Sequence, residues 1–555
     1  MSRFMDALVD AAVSAKGMTT GVPHAATRTL WSDIHATARR AATVLAKAGV
    51  RPGAAVAILA AQPADVAPAA QSVWLAGGSV TMLHQPTART DLTRYAADTL
   101  AVLKMIDARV VIVGDPFTEV AQMLSGTGYA AVTVDELRVG AITAELAEVD
   151  EDATALLQLT SGSTATPKAV RITHRNLWAN ISGMATVSDL DPANDVMVSW
   201  LPLFHDMGMV GFLTVPMCLG IELVKATPAD FLASPIMWME MIDRFRGTVT
   251  AAPNFAYALA ARVLPRATAL DLSTLRYALN GAEPIDVAAV RGFLAAGAPF
   301  GLRDTAVVPA YGMAEATLGV AFHPWGTPLA IDTVDAVQLE EHRRAVSIAP
   351  MDTDGTGDAG GTGGAATRSF PLLGPPLPGI EVVARREDGT DCAEREVGTL
   401  MIRGESITEL YLTSDGPQNT RGEGGWLDTG DLGYLVDGAV VVCGRAKDVI
   451  IMGGRNIYPT DIERAAQSVP GVRAGNAAAV RLDASLRRES FGVIVESKLA
   501  RDPVENARVA KEVRAAVTAQ IGVRPASVMV VPAGTLPKTP SGKIRRAAAA
   551  DLLQS

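Results

Sequence analysis

Short apolar runs alternate with helical patterns in the first part of this sequence. The runs contain four or five mostly apolar residues and lie at 55–59, 80–83 and 110–113. Apolar residues recur at helical spacing from Leu92 to Met105, and a second helical pattern follows Ser32, a candidate N-cap, and stops at Gly49. Parallel strands produce this alternation because each crossover between them needs a helix-length connection. The sequence therefore predicts an α/β fold with layered, mostly parallel sheets.

The length of the chain predicts more than one domain. Its 555 residues exceed what one hydrophobic core usually organises. A strand-like run at 439–442 leads into a segment near Gly444, and the residues after it have the pattern of a compact module. We expect a large N-terminal domain at residues 1–446 and a small α+β domain at residues 447–555.

One stretch departs from the globular pattern. Glycine occupies six of the ten positions from 355 to 364, so this stretch has little apolar surface to bury, and we expect a mobile surface loop. It contains a G-x-G-x-x-G match, but no strand precedes it and no helix with an acidic partner follows. The match is therefore compositional.

Charge and hydropathy exclude several classes of protein. The net charge of −10 argues against a nucleic-acid partner, although it leaves open a local basic patch for an acidic protein.

The longest uncharged apolar run, 207–221, is shorter than the roughly 20 residues that span a bilayer, and it contains Pro216. Asp6 and Asp10 interrupt any signal-peptide core, and their surroundings fit an amphipathic helix. We expect a cytoplasmic protein without integral membrane association; peripheral contact stays open.

A loop rich in hydroxyl groups follows the strand-like run at 155–159. It contains Thr160, Ser161, Gly162, Ser163 and Thr164, with Lys168 shortly after them. Hydroxyl and backbone N–H donors in a flexible loop can surround a polyphosphate, and the lysine adds a positive charge. The segment lacks the G-x-x-x-x-G-K-[ST] spacing of a Walker phosphate-binding loop. Taken alone, the segment is equally compatible with a turn between two strands.

The order of later segments carries a family resemblance. They read YGMAE at 311–315, WLDTGD at 426–431, GRAKD at 444–448 and LPKTPSGK at 536–543. With the hydroxyl-rich loop, these segments resemble the signature motifs of the adenylate-forming superfamily, which includes acyl-CoA synthetases, firefly-type luciferases and peptide-synthetase adenylation domains. Three more segments are similar to the fatty acyl-AMP ligase branch: WLPLFHDMGM at 200–209, NGAEP at 280–284 and GRNIYP at 454–459.

The resemblance implies a fold and a reaction. The fold would have a large ATP- and acyl-binding domain and a small C-terminal domain on a hinge. With ATP and Mg²⁺ as cofactors, a fatty acid would become an acyl-AMP with release of pyrophosphate. The acyl group would then pass to the phosphopantetheine thiol of an acyl carrier protein, for polyketide-lipid or lipidic siderophore synthesis. Residues 322–373 lie where such ligases carry an extra segment associated with exclusion of coenzyme A.

The resemblance also implies roles for individual residues. Lys543 would be the catalytic cation between the carboxylate and the α-phosphate, Glu315 the Mg²⁺ ligand, and His205 a gate or positioning group at the acyl carboxylate. Without the resemblance, an exposed lysine and a core histidine are the simpler interpretations. The run at 207–221 would form a buried helix, and it would either line an alkyl channel or only pack the core.

The nucleotide would contact a second group of residues. Tyr311 would stack on adenine, Asp431 would accept the ribose hydroxyls, Arg445 would donate nearby, and Lys447 would be the hinge. The further expected nucleotide contacts are Gly281, Ala282, Glu283, Gly312 and Met313. A core aromatic for Tyr311 and a turn residue for Asp431 remain the alternatives.

Three other functions stay open at this stage. The nearest is a medium- or long-chain acyl-CoA ligase, which would use coenzyme A as the acyl acceptor. The second is an adenylation enzyme for an amino or aryl acid. The third, a nucleotide-binding regulator without catalysis, is disfavoured because it would need neither Glu315 nor Lys543.

Overall fold

The computed structural model describes residues 1–86, 90–124, 126–142, 146–160, 167–348, 367–482, 490–539 and 543–554. The helices are α1 Arg3–Ala11, α2 Trp31–Lys47, α3 Pro63–Leu75, α4 Leu92–Met105, α5 Glu119–Leu124, α6 Val134–Arg138, α7 His174–Val187, α8 Val215–Leu219, α9 Pro228–Ala233, α10 Met237–Phe245, α11 Asn254–Val263, α12 Val287–Gly297, α13 Ala336–His342, α14 Pro459–Gln467, α15 Pro503–Ile521 and α16 Arg546–Gln554.

The strands are β1 Gly17–Thr20, β2 Thr27–Leu30, β3 Ala55–Leu59, β4 Ser79–Met82, β5 Val110–Val113, β6 Ala130–Thr133, β7 Thr154–Thr160, β8 Lys168–Thr173, β9 Val196–Ser199, β10 Glu222–Lys225, β11 Val249–Ala252, β12 Tyr277–Asn280, β13 Val307–Gly312, β14 Gly319–Phe322, β15 Ile331–Asp335, β16 Thr367–Pro371, β17 Ile380–Arg385, β18 Gly398–Gly404, β19 Leu410–Thr413, β20 Gly416–Asn419, β21 Leu427–Val436, β22 Ala439–Arg445, β23 Ile450–Met452, β24 Arg455–Ile457, β25 Val472–Leu482, β26 Ser490–Ser497 and β27 Ser527–Val531.

Two eight-stranded sheets form the larger part of the structure. The first has the order β14-β13-β12-β11-β9-β10-β1-β2, and the second has the order β20-β19-β8-β7-β4-β3-β5-β6. The pairs between β13 and β1 in the first sheet are parallel, as are those between β7 and β6 in the second. One hydrophobic cluster includes side chains of both sheets, among them Val80 and Val224. The predicted α/β fold with mostly parallel sheets is confirmed.

The chain after residue 447 builds its own small core. Strands β25, β26 and β27 form a three-stranded sheet, and α14 and α15 pack beside it. Its cluster includes Ile462, Val493 and Val513 and contains no side chain from the two large sheets. We call residues 447–555 the C-terminal module, and the division at this position remains our prediction.

The segment at 322–373 joins this module to the rest of the chain. Strands β15 and β16 form an antiparallel pair, with α13 directly after β15. The buried carboxylate of Glu340 on α13 accepts a hydrogen bond at 2.6 Å from Arg455, and Arg368 on β16 forms an ion pair with Asp461 on α14. The predicted mobile loop at 355–364 lies outside the described residues.

Most predicted elements lie where the sequence indicated them. β3, β5 and α4 have the predicted limits, but α2 begins at Trp31, so Ser32 is inside the helix and is not its N-cap. The run at 207–221 includes a buried helical stretch as expected. This stretch ends at Leu219, and its first part, Met207–Thr214, is a π-helix with a break at Phe212. Among the described residues, no helix has the length and apolar character needed to span a bilayer.

Candidate active site

The carboxyl ends of β9, β12 and β13 meet at one edge of the first sheet. The loops that leave these strands carry His205, Glu283 and Glu315. In an open sheet of parallel strands, this edge forms the crevice where ligands bind, because the connections to the next helices diverge there. The topology therefore brings together residues that are far apart in the sequence.

Two backbone positions shape this edge. A Cβ atom at Gly312 would lie 2.3 Å from the carbonyl oxygen of Leu318, so only glycine fits between the two chain segments. Ala282 has a φ of 68°, a left-handed conformation that alanine rarely adopts. Gly281 is buried directly before it. Strained backbone of this kind occurs often at ligand-binding turns.

The residues predicted to hold adenine and ribose contact one another. The hydroxyl of Tyr311 donates a hydrogen bond to Asp431 Oδ2 at 2.6 Å, across 120 positions of sequence. Arg445 lies opposite Asp431 in the β21–β22 pair, and its Nε is 2.8 Å from Asp431 Oδ1. Burial raises the pKa of Asp431 above its ordinary value, while Arg445 and the Tyr311 hydroxyl oppose that shift. The sulfur of Met313 lies 3.9 Å from the Tyr311 hydroxyl.

Glu315 is positioned by a residue that the sequence did not indicate. The hydroxyl of Tyr411 donates to Glu315 Oε1 at 2.6 Å, and the backbone N–H of Thr408 donates to the carbonyl oxygen of Glu315 at 2.8 Å. Among the described residues, no group of three or more His, Cys, Asp or Glu side chains is arranged to hold a metal. A single carboxylate fits Mg²⁺, which commonly takes one or two protein oxygens and completes its shell with phosphate and water.

The hydroxyl-rich loop is described only at its ends. Ser161, Gly162, Ser163 and Thr164 lie outside the described residues, so their predicted phosphate contacts stay predictions. Thr160 ends β7, and its buried Oγ1 has no hydrogen-bond partner among the described residues. Lys168 begins β8, and its Nζ lies 3.9 Å from the centroid of the Tyr411 ring.

His205 forms a close pair with the residue that follows it. Its Nδ1 is 2.6 Å from Asp206 Oδ1, and the same oxygen caps the π-helix by accepting from the N–H of Met207 at 2.7 Å. Burial would raise the pKa of Asp206, but the charge and hydrogen bond of His205 and the charge of Lys543 lower it below its ordinary value. Asp206 therefore stays ionised beside His205.

A second histidine lies near this pair. The ring of His84 packs edge-to-face against Phe204, with 5.5 Å between centroids. Burial, followed by the charge of His205, lowers the pKa of His84 to about 4. A neutral ring therefore lines the cleft beside His205, and this contact was not indicated by the sequence.

The C-terminal module brings Lys543 to the same cleft. The charge of its exposed ammonium group acts to lower the pKa of three buried acidic side chains outside this module: Asp206, Glu283 and Asp431. Burial outweighs this effect at Glu283 and Asp431, whose pKa values lie above the ordinary ones. The loop that carries Lys543 is closed by hydrogen bonds in both directions with Thr539, at 2.7 and 3.1 Å. Glu283 itself accepts from the N–H of Phe255 at 2.6 Å.

Lys447, the predicted hinge, lies on the rim of this cleft. It sits in the short 3-10 turn Ala446–Asp448 between β22 and β23. Burial lowers its pKa, and the charges of Arg445 and Lys168 act in the same direction while those of Asp448 and Asp431 oppose them. Its role as the hinge stays a prediction.

The structure thus groups most of the predicted residues and adds three. Asp206, His84 and Tyr411 belong to the cleft but were not predicted. The sequence did contain a signal for Asp206, because an acidic residue directly follows His205 in the segment at 200–209. His84 and Tyr411 had no such signal, because their neighbours in the cleft come from distant parts of the chain.

The chain is similar to known proteins over most of its length. The profile of a family described as AMP-binding enzymes matches residues 10–412. The chain is 51% identical to a putative ligase of Mycobacterium tuberculosis over 99% of both chains. It is 35% identical to a medium-chain-fatty-acid–[acyl-carrier-protein] ligase of Moorena producens, over 72% of this chain and 68% of the relative.

A solved structure is similar over the whole chain. It comes from a study of fatty acyl-adenylate ligases from E. coli and L. pneumophila, and it superposes with a TM-score of 0.90 at 30% sequence identity. The match covers 100% of this chain and 98% of the other.

Proposed function

The chain belongs to the AMP-binding enzyme family and has the adenylate-forming fold, as the motifs predicted, and we propose that it activates a fatty acid with ATP. In the first half-reaction a carboxylate oxygen attacks the α-phosphorus of ATP, the bond to the β-phosphate oxygen breaks, and pyrophosphate leaves. In the second, a phosphopantetheine thiol of a carrier protein attacks the acyl carbon. A thioester forms, AMP leaves, and the thiol proton passes to solvent.

One observation supports the first half-reaction above all others. The ammonium group of Lys543, from the C-terminal module, acts on Asp206, Glu283 and Asp431 together. Both reactants are anions, so a cation held between them offsets their repulsion as they approach. Without the closure of the module against the large domain, this charge would be absent from the cleft.

The other residues would bind and orient the substrates. Tyr311 presents a ring beside the nucleotide, and Asp431 and Arg445 supply an acceptor and a donor for ribose. Lys168 and the hydroxyl-rich loop would hold the phosphates. Glu315 would hold Mg²⁺ together with phosphate oxygens, and the bound ion would neutralise part of the phosphate charge.

His205 and Asp206 would act at the acyl carboxylate. Asp206 Oδ1, 2.6 Å from Nδ1, would hold the ring of His205 in place beside the carboxylate. The buried residues after Asp206 then provide an apolar surface for the alkyl chain. Each methylene group that leaves water would contribute about 0.8 kcal/mol.

The carrier protein is preferred to coenzyme A on two grounds. One relative is named as an acyl-carrier-protein ligase. In addition, Glu340 and Arg368 of the segment at 322–373 hold Arg455 and Asp461 of the C-terminal module. This contact would hold the module against the segment that lies where such ligases carry the part associated with exclusion of coenzyme A. An acyl-CoA ligase is the second candidate, and the same experiment separates it from the first.

The experiment uses mass spectrometry of the products. The full-length protein is incubated with ATP, Mg²⁺ and a mixture of C8–C20 acids, and then with either coenzyme A or a phosphopantetheinylated carrier protein. We expect acyl-AMP in all reactions and a thioester with the carrier protein. Absence of any acyl-AMP would refute the proposal, and acyl-CoA as the dominant thioester would favour the second candidate.

A pair of variants tests the role of the lysine. Lys543→Ala should slow acyl-AMP formation roughly 100- to 1000-fold, the usual effect of removing one preorganised group that stabilises developing charge. Lys511→Ala removes an exposed lysine from the same module and should leave the rate unchanged. Equal rates for the two variants would contradict the assigned role.

A further inference from the structure

Tyr411 joins two parts of the site that the sequence motifs treat as separate. β19, which carries it, pairs with β8 in the second sheet, so a strand from residues 410–413 lies directly beside the strand that follows the hydroxyl-rich loop. The hydroxyl end of the Tyr411 side chain faces Glu315. Glu315 lies 96 positions earlier in the sequence, in a loop at the edge of the first sheet. The residue therefore spans the cleft between the two sheets.

The register of β8 and β19 explains the contact with Lys168. Tyr411 lies opposite Val170, and Lys168 is two positions before Val170, so both side chains project from the same face of the sheet. Such diagonal neighbours are within reach of aromatic and long side chains. Here the ammonium group lies 3.9 Å from the ring centroid, well inside the range of a cation–π contact.

The other end of Tyr411 fixes the carboxylate of Glu315. Its hydroxyl donates to Oε1 at 2.6 Å, whereas Oε2 accepts no hydrogen bond among the described residues. A tyrosine hydroxyl has one proton, and here that proton is donated to the carboxylate of Glu315. Oε2 is thus left as the oxygen available to a cation.

The chain around Tyr411 is built to hold this arrangement. Residues 405–411, which we call the bridging segment, are tied to the turn that contains Glu315 by two hydrogen bonds at 2.8 Å. One runs from Thr408 N–H to the carbonyl of Glu315, and the other from Thr317 Oγ1 to the carbonyl of Ser406. These bonds hold the backbone on either side of the contact between the tyrosine and the carboxylate.

We propose that Tyr411 is a positioning residue that couples the two phosphate-binding elements, its hydroxyl orienting Glu315 toward Mg²⁺ and its ring orienting Lys168 toward the phosphates. The inference rests on the proposed function only in taking Mg²⁺ and ATP as the ligands. It predicts that the two effects can be separated by substitution, because different atoms of one side chain produce them.

Four variants and one control separate the effects. Tyr411→Phe keeps the ring and removes the hydroxyl, and Tyr411→Leu removes both. Each of these two substitutions is also made in a Lys168→Met background. Tyr434→Phe is the control, because the buried Tyr434 donates an equivalent 2.6 Å hydrogen bond to Asp332 outside the cleft.

The main readout is binding of ATP without any acid, measured by isothermal titration calorimetry at a series of Mg²⁺ concentrations. Tyr411→Phe should raise the Mg²⁺ concentration for half-maximal ATP binding roughly 10-fold, as loss of a partner that orients a metal ligand commonly does. High Mg²⁺ should restore binding. Tyr434→Phe should leave this Mg²⁺ requirement at the wild-type value.

Removal of the ring should add a second effect. Tyr411→Leu should weaken ATP binding at saturating Mg²⁺ by roughly 2- to 5-fold more than Tyr411→Phe, the range expected for one cation–π contact. In the Lys168→Met background this additional loss should vanish, because the partner of the ring is gone.

The outcome can be distinguished from failure of the proposed function. If wild-type protein binds ATP with Mg²⁺ but forms no acyl-AMP, the proposed reaction fails and the role of Tyr411 can still be measured. If wild-type protein forms acyl-AMP and Tyr411→Phe has the wild-type Mg²⁺ requirement, the positioning role of the hydroxyl is overturned. If Tyr411→Leu still binds ATP more weakly than Tyr411→Phe when Lys168 is replaced by methionine, the role of the ring is overturned.

Discussion

Replacement of Lys225 by methionine should change how the free energy of unfolding depends on pH. Lys225 ends β10 and is fully buried, and its Nζ donates hydrogen bonds to Ser199 Oγ at 2.9 Å and to the carbonyl of Leu201 at 2.8 Å. Burial lowers its pKa from 10.5 to about 7. No carboxylate is among these partners, so the charged form is poorly compensated.

The magnitude follows from the difference between the two pKa values. Below pH 7 the amine is protonated in both states, and its burial costs the folded state about 5 kcal/mol. Between pH 7 and 10.5 the folded chain releases this proton while the unfolded chain keeps it, so the free energy of unfolding rises with pH. The rise between pH 7 and pH 9 should be about 2 kcal/mol.

The assay compares wild-type protein with Lys225→Met by urea unfolding at pH 7, 8 and 9. Tryptophan fluorescence is a suitable probe, because all seven tryptophans precede residue 447, as Lys225 does, and report on the unfolding of that part of the chain. In Lys225→Met, Ser199 Oγ and the carbonyl of Leu201 lose their hydrogen-bond donor. The resulting loss of stability is the same at each pH. The difference between the two proteins should therefore change by about 2 kcal/mol across the series.

A matched control and a clear contrary result complete the test. Lys104→Met removes an exposed lysine on α4, and its difference from wild type should stay constant across the pH series. If the difference in free energy of unfolding between wild type and Lys225→Met is also constant from pH 7 to pH 9, Lys225 stays charged in the folded state over this range. The reasoning would then be wrong.

Further predictions concern the cleft, the contact between domains and the backbone. Asp206→Ala removes the carboxylate that holds the ring of His205 in place. Steady-state kinetics should show a KM for the fatty acid raised roughly 10-fold with little change in the KM for ATP, and the reverse pattern would contradict this assignment. Arg455→Ala breaks the ion pair with the buried Glu340, and it should speed proteolysis before the C-terminal module and increase acyl-CoA formation. Arg508→Ala is the control and should change neither, because the ion-pair partners of Arg508 lie on its own helix. Gly312→Ala places a Cβ against a carbonyl oxygen and should lower the free energy of unfolding by about 1–3 kcal/mol in a chemical denaturation experiment; unchanged stability would show that this turn can relax.

Local patterns in the sequence determined much of this protein. The apolar run at Val110–Val113 and the helical spacing over Leu92–Met105 lie in the structure where they were predicted, because a buried strand and an amphipathic helix each impose their own spacing on nearby residues. The N-cap of α2 is Leu30, two positions before the predicted Ser32, since helix ends depend on a few atoms at the cap. The motifs likewise indicated Tyr311 and Asp431, which the fold joins directly.

Only the tertiary structure decided which of these residues act on one another. The contact of Tyr411 with Glu315 and Lys168 depends on the register of β8 against β19 and on a loop from another sheet. The buried state of Lys225 depends on how closely neighbouring strands and helices pack around β10. Such long-range contacts arise from sheet order and packing, and no spacing within a short stretch of sequence records them.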